Sequence, residues 1–132
     1  MANTTPEWRA FRDSVAGHDF TRAEFLLAGA PGMIDLKNGI GETILHWLAV
    51  EDDLDAVKWL FRHGADLNCR NEFGTPLVFE VSLLGYTDLF RWLIANGADP
   101  VQRAADGQSL KEYLLEHDRA DIASAVEAII NG

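Results

Sequence analysis

The sequence predicts an all-α repeat protein, and two observations carry this prediction. The chain of 132 residues repeats itself, because "FRHGADLN" at 61–68 recurs as "IANGADPV" at 94–101. The glycines at positions 41, 74 and 107 step by the same interval of 33 residues. Within each repeat, apolar residues recur at the spacing of one face of a helix. Repeats of this length indicate stacked supersecondary units that bury one continuous core.

The first element is a helix near the N-terminus. We expect it to begin after Thr4 or Thr5, either of which can accept a hydrogen bond as N-cap, with Pro6 in the first turn. Its apolar face is formed by Trp8, Phe11 and Val15.

Each of the four repeats is predicted to contain two helices, a shorter one followed by a longer one. Three of the four apolar faces end on Leu, Phe or Ile, whereas the fourth ends on Glu127. We therefore expect the last repeat to have a solvated outer face, as a repeat at the end of a stack needs. The four faces are Phe20, Ala23, Leu26 and Leu27; Leu54, Val57, Leu60 and Phe61; Thr87, Phe90, Leu93 and Ile94; and Ala120, Ala123, Val126 and Glu127.

These motifs resemble the ankyrin family. The resemblance rests on the openings "GETILH" and "GTPL", the two "GAD" closings and the period of 33 residues. It implies an all-α solenoid of helix-turn-helix units with short β-hairpin-like fingers between repeats. We expect one domain over residues 1–132, with approximate repeats at 5–37, 38–70, 71–103 and 104–132, of which the first and last act as caps.

The sequence departs from the family pattern in several places, among them Ile44, where the family prefers proline. Leu77 and Leu110 follow their glycines one residue sooner than Leu45 follows its own, which leaves the start of the short helix open in these repeats. Asp52 stands where the family usually has the glycine that ends this helix, while Gly85 keeps it.

Charge excludes some partners and favours others. The chain has 11 basic and 21 acidic residues, a net charge of −10 and a pI near 4.6. Such a surface repels nucleic acids and anionic membranes and attracts basic proteins. No apolar run is long enough to cross a bilayer, and no signal peptide is visible. Cys69 is the only cysteine, so we expect a cytoplasmic protein without an internal disulfide.

His46 is the residue that first suggests catalysis. It follows Thr43 at the start of a short helix, and by the resemblance it hydrogen-bonds the adjoining loops as scaffold. The matched positions hold Phe79 and Glu112, so the histidine is not a repeated catalytic feature. Gly64 and Gly97 directly follow helices and are predicted to be structural turn residues.

No other pattern in the sequence indicates chemistry. There is no nucleophile elbow or phosphate loop, and the histidines and Cys69 lack metal-ligand spacing. We therefore expect no catalytic residue, no metal and no cofactor. The alternative is an enzyme that uses the carboxylates of Glu51, Asp52, Asp53 and Asp55, but a solvated turn is the preferred interpretation, with Asp53 as N-cap of the next helix.

Apolar residues at predicted finger tips indicate a binding surface. Ile40 and Phe73 directly precede matched glycines, where turns are normally polar, and the last finger has Asp106 instead. By the resemblance, finger tips and short helices form the concave face that binds partners, here apolar anchors with an acidic rim. The predicted binding residues are Ile40, Glu42, Trp47, Val50, Glu51, Glu72, Phe73, Glu80, Leu83, Leu84 and Asp106.

The sequence therefore predicts a protein-binding module, monomeric when free, that binds a basic protein partner through its concave face and can inhibit it. One alternative is a bacterial immunity or antitoxin-like protein that neutralises a toxin such as a nuclease. Another is an adaptor or regulatory subunit of a larger complex. A structural alternative is self-association through the fingers.

Overall fold

A computed structural model describes residues 5–132 of the chain, and Thr4 lies outside the described residues. The chain forms two compact units, one ending at Asp66 and the other beginning at Leu67. Over residues 5–132 the secondary structure consists of eight α-helices and one 3-10 helix, without a β-strand, which confirms the all-α class. None of the described helices combines the length and apolar character that a bilayer crossing demands.

The first unit contains two helix pairs, α1 with α2 and α3 with α4. Thr5 begins α1 as its N-cap, with its hydroxyl accepting from the amide of Trp8 at 3.1 Å. The helices are α1 Pro6–Ala16, α2 Phe20–Gly29, α3 Ile44–Val50 and α4 Leu54–Arg62, with the 3-10 helix at Pro31–Asp35 after α2.

The second unit also contains two helix pairs, and here α5 packs on α7 and α6 on α8. Phe90 and Leu93 are fully buried on the predicted face of α6, and Ala123 and Val126 are buried on that of α8. Glu127 is exposed on α8. The helices are α5 Leu77–Leu83, α6 Thr87–Ala95, α7 Leu110–Glu116 and α8 Ala120–Asn131.

The short helices keep the 33-residue interval at both ends. Helices α3, α5 and α7 begin at Ile44, Leu77 and Leu110, so the early leucines do not shift the boundary. In α5 the N-cap is Pro76, which has an extended backbone and makes no side-chain capping bond. The early leucines therefore leave the start of the helix in place, and of α3, α5 and α7 only α5 lacks a side-chain cap.

The turn within each helix pair needs a left-handed residue. This residue is His18, Asp52, Gly85 or Asp118, with φ values of 56°, 58°, 81° and 58°. Left-handed backbone is costly for residues with a Cβ, although Asp tolerates it better than most. Asp52 thus adopts the conformation of the glycine that it replaces in the family pattern.

Candidate protein-binding surface

The first finger, residues 38–41, is held by Asn38. The side-chain oxygen of Asn38 accepts from the backbone amides of Ile40 and Glu42, both at 3.0 Å. The backbone amide of Asn38 donates to the carbonyl of Glu42 at 2.8 Å. Gly41 closes the turn with a φ of 76°. This Asn turn holds Ile40 at the tip, where the residue is 54% exposed.

His46 lies in the first turn of α3 and is fully buried. The Thr43 hydroxyl caps the helix by accepting from the His46 amide at 3.3 Å. The Nε2 atom of His46 lies 3.6 Å from a carboxylate oxygen of Glu42, whose side chain is largely buried as well. The burial of His46 favours its interpretation as scaffold. Because the Glu42 side chain is largely buried as well, Glu42 has little exposed surface for a partner.

Trp47 is half-buried, and part of its ring is covered from α1. The guanidinium carbon of Arg12 lies 5.0 Å from the Trp47 ring centroid and 5.6 Å from that of Trp8. Both distances are within the range of cation–π attraction. The indole of Trp47 therefore already has a cationic partner within the chain. The sequence around Trp47 did not predict this contact.

The acidic run after α3 lies beside a shallow surface depression lined by Trp47 and residues of two turns. Glu51 and Asp52 are exposed there, and Val50 is half-buried. Asp53 caps α4 by accepting from the amide of Ala56 at 3.2 Å.

The remaining acidic contacts are structural as well. The Asp53 carboxylate lies 2.9 and 3.0 Å from Nε2 of His18, which ties two turns of the unit together. Asp55 is exposed in the first turn of α4, where a carboxylate is favoured by the helix dipole. Asp53 is thus occupied by two structural contacts, which favours the solvated-turn interpretation of the acidic run.

The second finger, residues 71–74, repeats the first in the other unit. The side-chain oxygen of Asn71 accepts from the amides of Phe73 at 2.9 Å and Thr75 at 3.1 Å. Arg70 donates to the carbonyl of Gly74 at 2.9 Å. Phe73 is 75% exposed at the tip, and the turn that carries it is closed by hydrogen bonds to Asn71.

The third finger, residues 104–107, packs beside the second. A Cβ on Gly74 would lie 2.7 Å from the Cβ of Ala105, so this approach needs a glycine at position 74. Arg103 donates to the carbonyl of Gly107 at 2.9 Å, just as Arg70 does one repeat earlier. Asp106 is exposed, and its carboxylate accepts from the Gln108 amide at 3.0 Å.

The predicted binding residues on and near α5 differ in their exposure and in the internal hydrogen bonds that they make. The carboxylate of Glu80 is half-buried and accepts from the Asn71 side chain at 2.6 Å, so it supports the finger. Leu83 is half-buried, and its carbonyl accepts from Arg119 at 2.7 Å. Leu84 and Glu72 are exposed and available to a partner.

The other histidines make local contacts. The Nδ1 atom of His63 donates to the carbonyl of Trp59 at 2.8 Å, and that of His117 to Tyr113 at 2.7 Å. Each of these histidines thus continues the turn at the end of its own helix. After α4 and α6, Gly64 and Gly97 adopt φ values of 96° and 105°, as glycines that follow helices do.

A capping box begins α7. The Ser109 hydroxyl accepts from the Glu112 amide at 3.2 Å, and the Glu112 carboxylate accepts from the Ser109 amide at 2.9 Å. The bond from Ser109, with Arg103 nearby, lowers the pKa of Glu112 below its ordinary value. Burial raises the pKa of Tyr113, and the charge of Glu80 adds to the effect.

Sequence reasoning missed the residues that hold the fingers. Asn38 and Asn71 accept from the amides of the tips, and Arg70 and Arg103 brace the closing glycines. Both pairs are 33 residues apart, so the repeat interval marks them in the sequence. Their role needed coordinates, because a polar residue before a turn is otherwise indistinguishable from a solvated one.

These paired helices and hairpin-like fingers define a repeat scaffold, and comparison with known proteins identifies its family. A family model of ankyrin repeats, in three copies, matches residues 14–104. The chain belongs to the ankyrin-repeat family.

Two relatives share the name protein phosphatase 1 regulatory subunit 27. The mouse protein is 32% identical over 113 residues, which cover 85% of this chain and 72% of that protein. The human protein is 37% identical over 83 residues, covering 62% of this chain and 53% of that protein. The chain therefore spans about half the length of the human relative.

A third relative shares only the repeats. The palmitoyltransferase AKR1 of Lachancea kluyveri is 32% identical over 97 residues, which are 73% of this chain but 13% of that protein. The family and the regulatory-subunit relatives together support a protein-interaction role for the chain, with a protein as its partner.

Proposed function

We propose that the protein binds a basic protein partner through its finger tips and the ends of its short helices, without catalysing a reaction. The observation that carries this proposal is the exposure of Phe73 and Ile40 on tips that are closed by their own hydrogen bonds. The tip side chains contribute nothing to that closure. Large apolar groups on rigid, exposed backbone are what an interface anchor requires.

Charge supports a basic partner. Glu72 and Asp106 are exposed on the second and third fingers, and Glu51 is exposed beyond α3. With a net charge of −10, the whole chain attracts cationic surfaces and speeds their encounter. Apolar tips would then supply affinity and the carboxylates selectivity, and a partner covered in this way is inhibited or redirected.

The relatives favour a regulatory subunit as the form that this binding takes. Two of them are named regulatory subunits of protein phosphatase 1, and identity to the mouse protein extends over 85% of this chain. We propose a protein phosphatase catalytic subunit as the first candidate partner to test. Neutralisation of a basic toxin is the second, and it rests on the acidic charge alone.

The experiment measures affinity for purified candidates with two tip variants and one matched control. Phe73→Ser and Ile40→Ser are expected to weaken binding about tenfold or more, because each removes an apolar anchor. Phe25→Ser is the control, since Phe25 is 76% exposed on α2 and belongs to none of the three fingers. Unfolding midpoints of all three variants should match that of the unmodified chain.

Two results would refute the proposal. One is that both tip variants, while folded, bind with unchanged affinity. The other is that Phe25→Ser weakens binding as much as Phe73→Ser does, because exposed aromatic rings would then act without regard to their position. If the phosphatase and basic toxins from neighbouring genes all fail to bind, the partner proposals fail with them.

A further inference from the structure

In the first unit, an aromatic ring of one helix pair packs against aromatic rings of the preceding pair. Trp59 of α4 lies against two rings of the preceding helix pair and is only 5% exposed. Its centroid is 5.5 Å from that of Phe20, with the rings nearly parallel at 14°, and 6.1 Å from that of Phe11. Offset aromatic pairs at such distances are stabilising beyond the area that they bury.

Phe25 occupies the same place in α2 as Trp59 does in α4. Each lies six residues after the N-cap of its helix, which is Asp19 in one case and Asp53 in the other. The repeat therefore directs Phe25 toward the side from which a preceding repeat would supply its partner rings. No described residue covers it, and its exposed fraction is 76%.

The second unit has the complementary surface, a groove of about 300 Å³ at the outer side of α7 and α8. Its apolar lining includes Leu110, Val126 and Ile130. Ala123 also lines it, at the position where α6 carries Phe90, so a phenyl ring is missing relative to the preceding repeat. Val101 at its edge is 79% exposed.

The repeat register indicates where an incoming ring would lie. Phe20 and Ala120 are the first residues of α2 and α8, and Phe11 and Lys111 each lie five residues before the end of α1 and α7. A ring that approached the fourth repeat as Trp59 approaches the first would thus meet Ala120 and Lys111. The Lys111 ammonium is exposed and makes no ion pair among the described residues, so it can lie over the ring.

We propose that copies of this chain associate weakly head to tail, with Phe25 of one copy seated at the groove beside Lys111 of the next. A second copy is the favoured occupant because the chain itself exposes a ring of the required kind. Charges also match, since Arg22 and Glu24 flank Phe25 on α2 while Lys111 and Glu127 line the groove. This inference replaces the monomer expected from the sequence and is independent of the finger tips.

The two surfaces differ, so the contact is heterologous and each new copy offers a free groove and a free ring. Association should therefore continue beyond a dimer as the protein concentration rises. Sedimentation velocity of the full chain, from micromolar to millimolar concentration at fixed salt, should show an average mass that keeps increasing.

Two single variants and their mixture test the pairing. Phe25→Ser and Lys111→Glu should each lower association about tenfold or more, because each removes one side of the contact. Mixed in equal amounts, they should form a heterodimer and nothing larger, since only one intact ring and one intact groove remain. Phe73→Ser, with nearly the same exposure as Phe25, should associate like the unmodified chain.

The proposal is overturned if the unmodified chain stays monomeric throughout this range, or if either single variant associates normally. A mixture that stays monomeric also overturns it, because the two lesions would not then be complementary. The proposal that the finger tips bind a protein partner is tested separately. It requires that Phe73→Ser lose affinity for that partner and that Phe25→Ser keep it.

Discussion

The starts of α3 and α5 occupy the same place in successive repeats but use opposite chemistry. In α3, Thr43 caps the helix through its hydroxyl, and the buried side chain at the third position is the polar His46. In α5, Pro76 caps without a side-chain bond, and the buried side chain at the third position is Phe79, whose ring centroid lies 5.2 Å from that of Tyr113. The repeat fixes where the backbone goes and what is buried, while the chemistry at that place is free to vary.

The aromatic side of this comparison should give the larger effect on stability. Phe79 is fully buried, so Phe79→Ala should lower the free energy of unfolding by about 3–5 kcal/mol through lost apolar contact and a residual cavity. Urea unfolding followed by circular dichroism measures this loss. A loss below about 1 kcal/mol would contradict this prediction, because the site would then collapse around the smaller side chain without leaving a cavity.

The polar side should give a smaller loss. His46→Ala should lower the free energy of unfolding by roughly 1–3 kcal/mol, because buried hydrogen-bonding groups around the imidazole lose a partner. The same urea titration measures this loss. If His46→Ala unfolds like the unmodified chain but fails to bind a partner, the histidine is functional and the scaffold interpretation is wrong.

Two threonines near the starts of α3 and α5 can be compared, because Thr43 is an N-cap and Thr75 is not. Thr43→Ala should cost about 1 kcal/mol of stability, because it removes the bond to the first turn of α3. Thr75→Ala should change stability by less than about 0.5 kcal/mol, since Pro76 and not Thr75 is the N-cap of α5. Equal losses in the two variants would contradict the helix boundary found at Leu77.

The smallest expected effect concerns pH and the capping box of α7. Because folding lowers the pKa of Glu112, its contribution to stability is present above the ordinary pKa of glutamate and is lost as the pH falls through the lowered value. Titration by NMR should find the pKa of Glu112 below the ordinary value of a glutamate, and Ser109→Ala should raise it toward that value. A Glu112 pKa at the ordinary value in the unmodified chain would exclude the capping box.

The helical class, the family and the Asp53 cap could be predicted from the sequence, because these depend on local spacing within a repeat. The sequence left the start of α5 open, since Leu77 follows its glycine one residue sooner than Leu45 follows its own. It could not foresee contacts between residues far apart in the chain, such as Arg12 over Trp47. Such contacts depend on how neighbouring helices pack, which no local pattern encodes.

The predicted binding residues divide along the same line. The tips could be predicted because an apolar residue before a turn glycine is unusual, and they are exposed in the structure. Glu80 could not be recognised as a support for the finger, because its bond to Asn71 spans nine residues and depends on the finger folding back on α5. We therefore expect Glu80→Gln to affect the partner less than Phe73→Ser does.

The central claim is that exposed finger tips bind while the buried first turns of the short helices serve as scaffold. The most direct test measures the affinity of a partner for the unmodified chain, Phe73→Ser and Phe25→Ser, together with their unfolding midpoints. The account predicts that Phe73→Ser alone loses affinity, by about tenfold or more, while all three midpoints agree. Unchanged affinity in a folded Phe73→Ser variant, or an equal loss in Phe25→Ser, would contradict it.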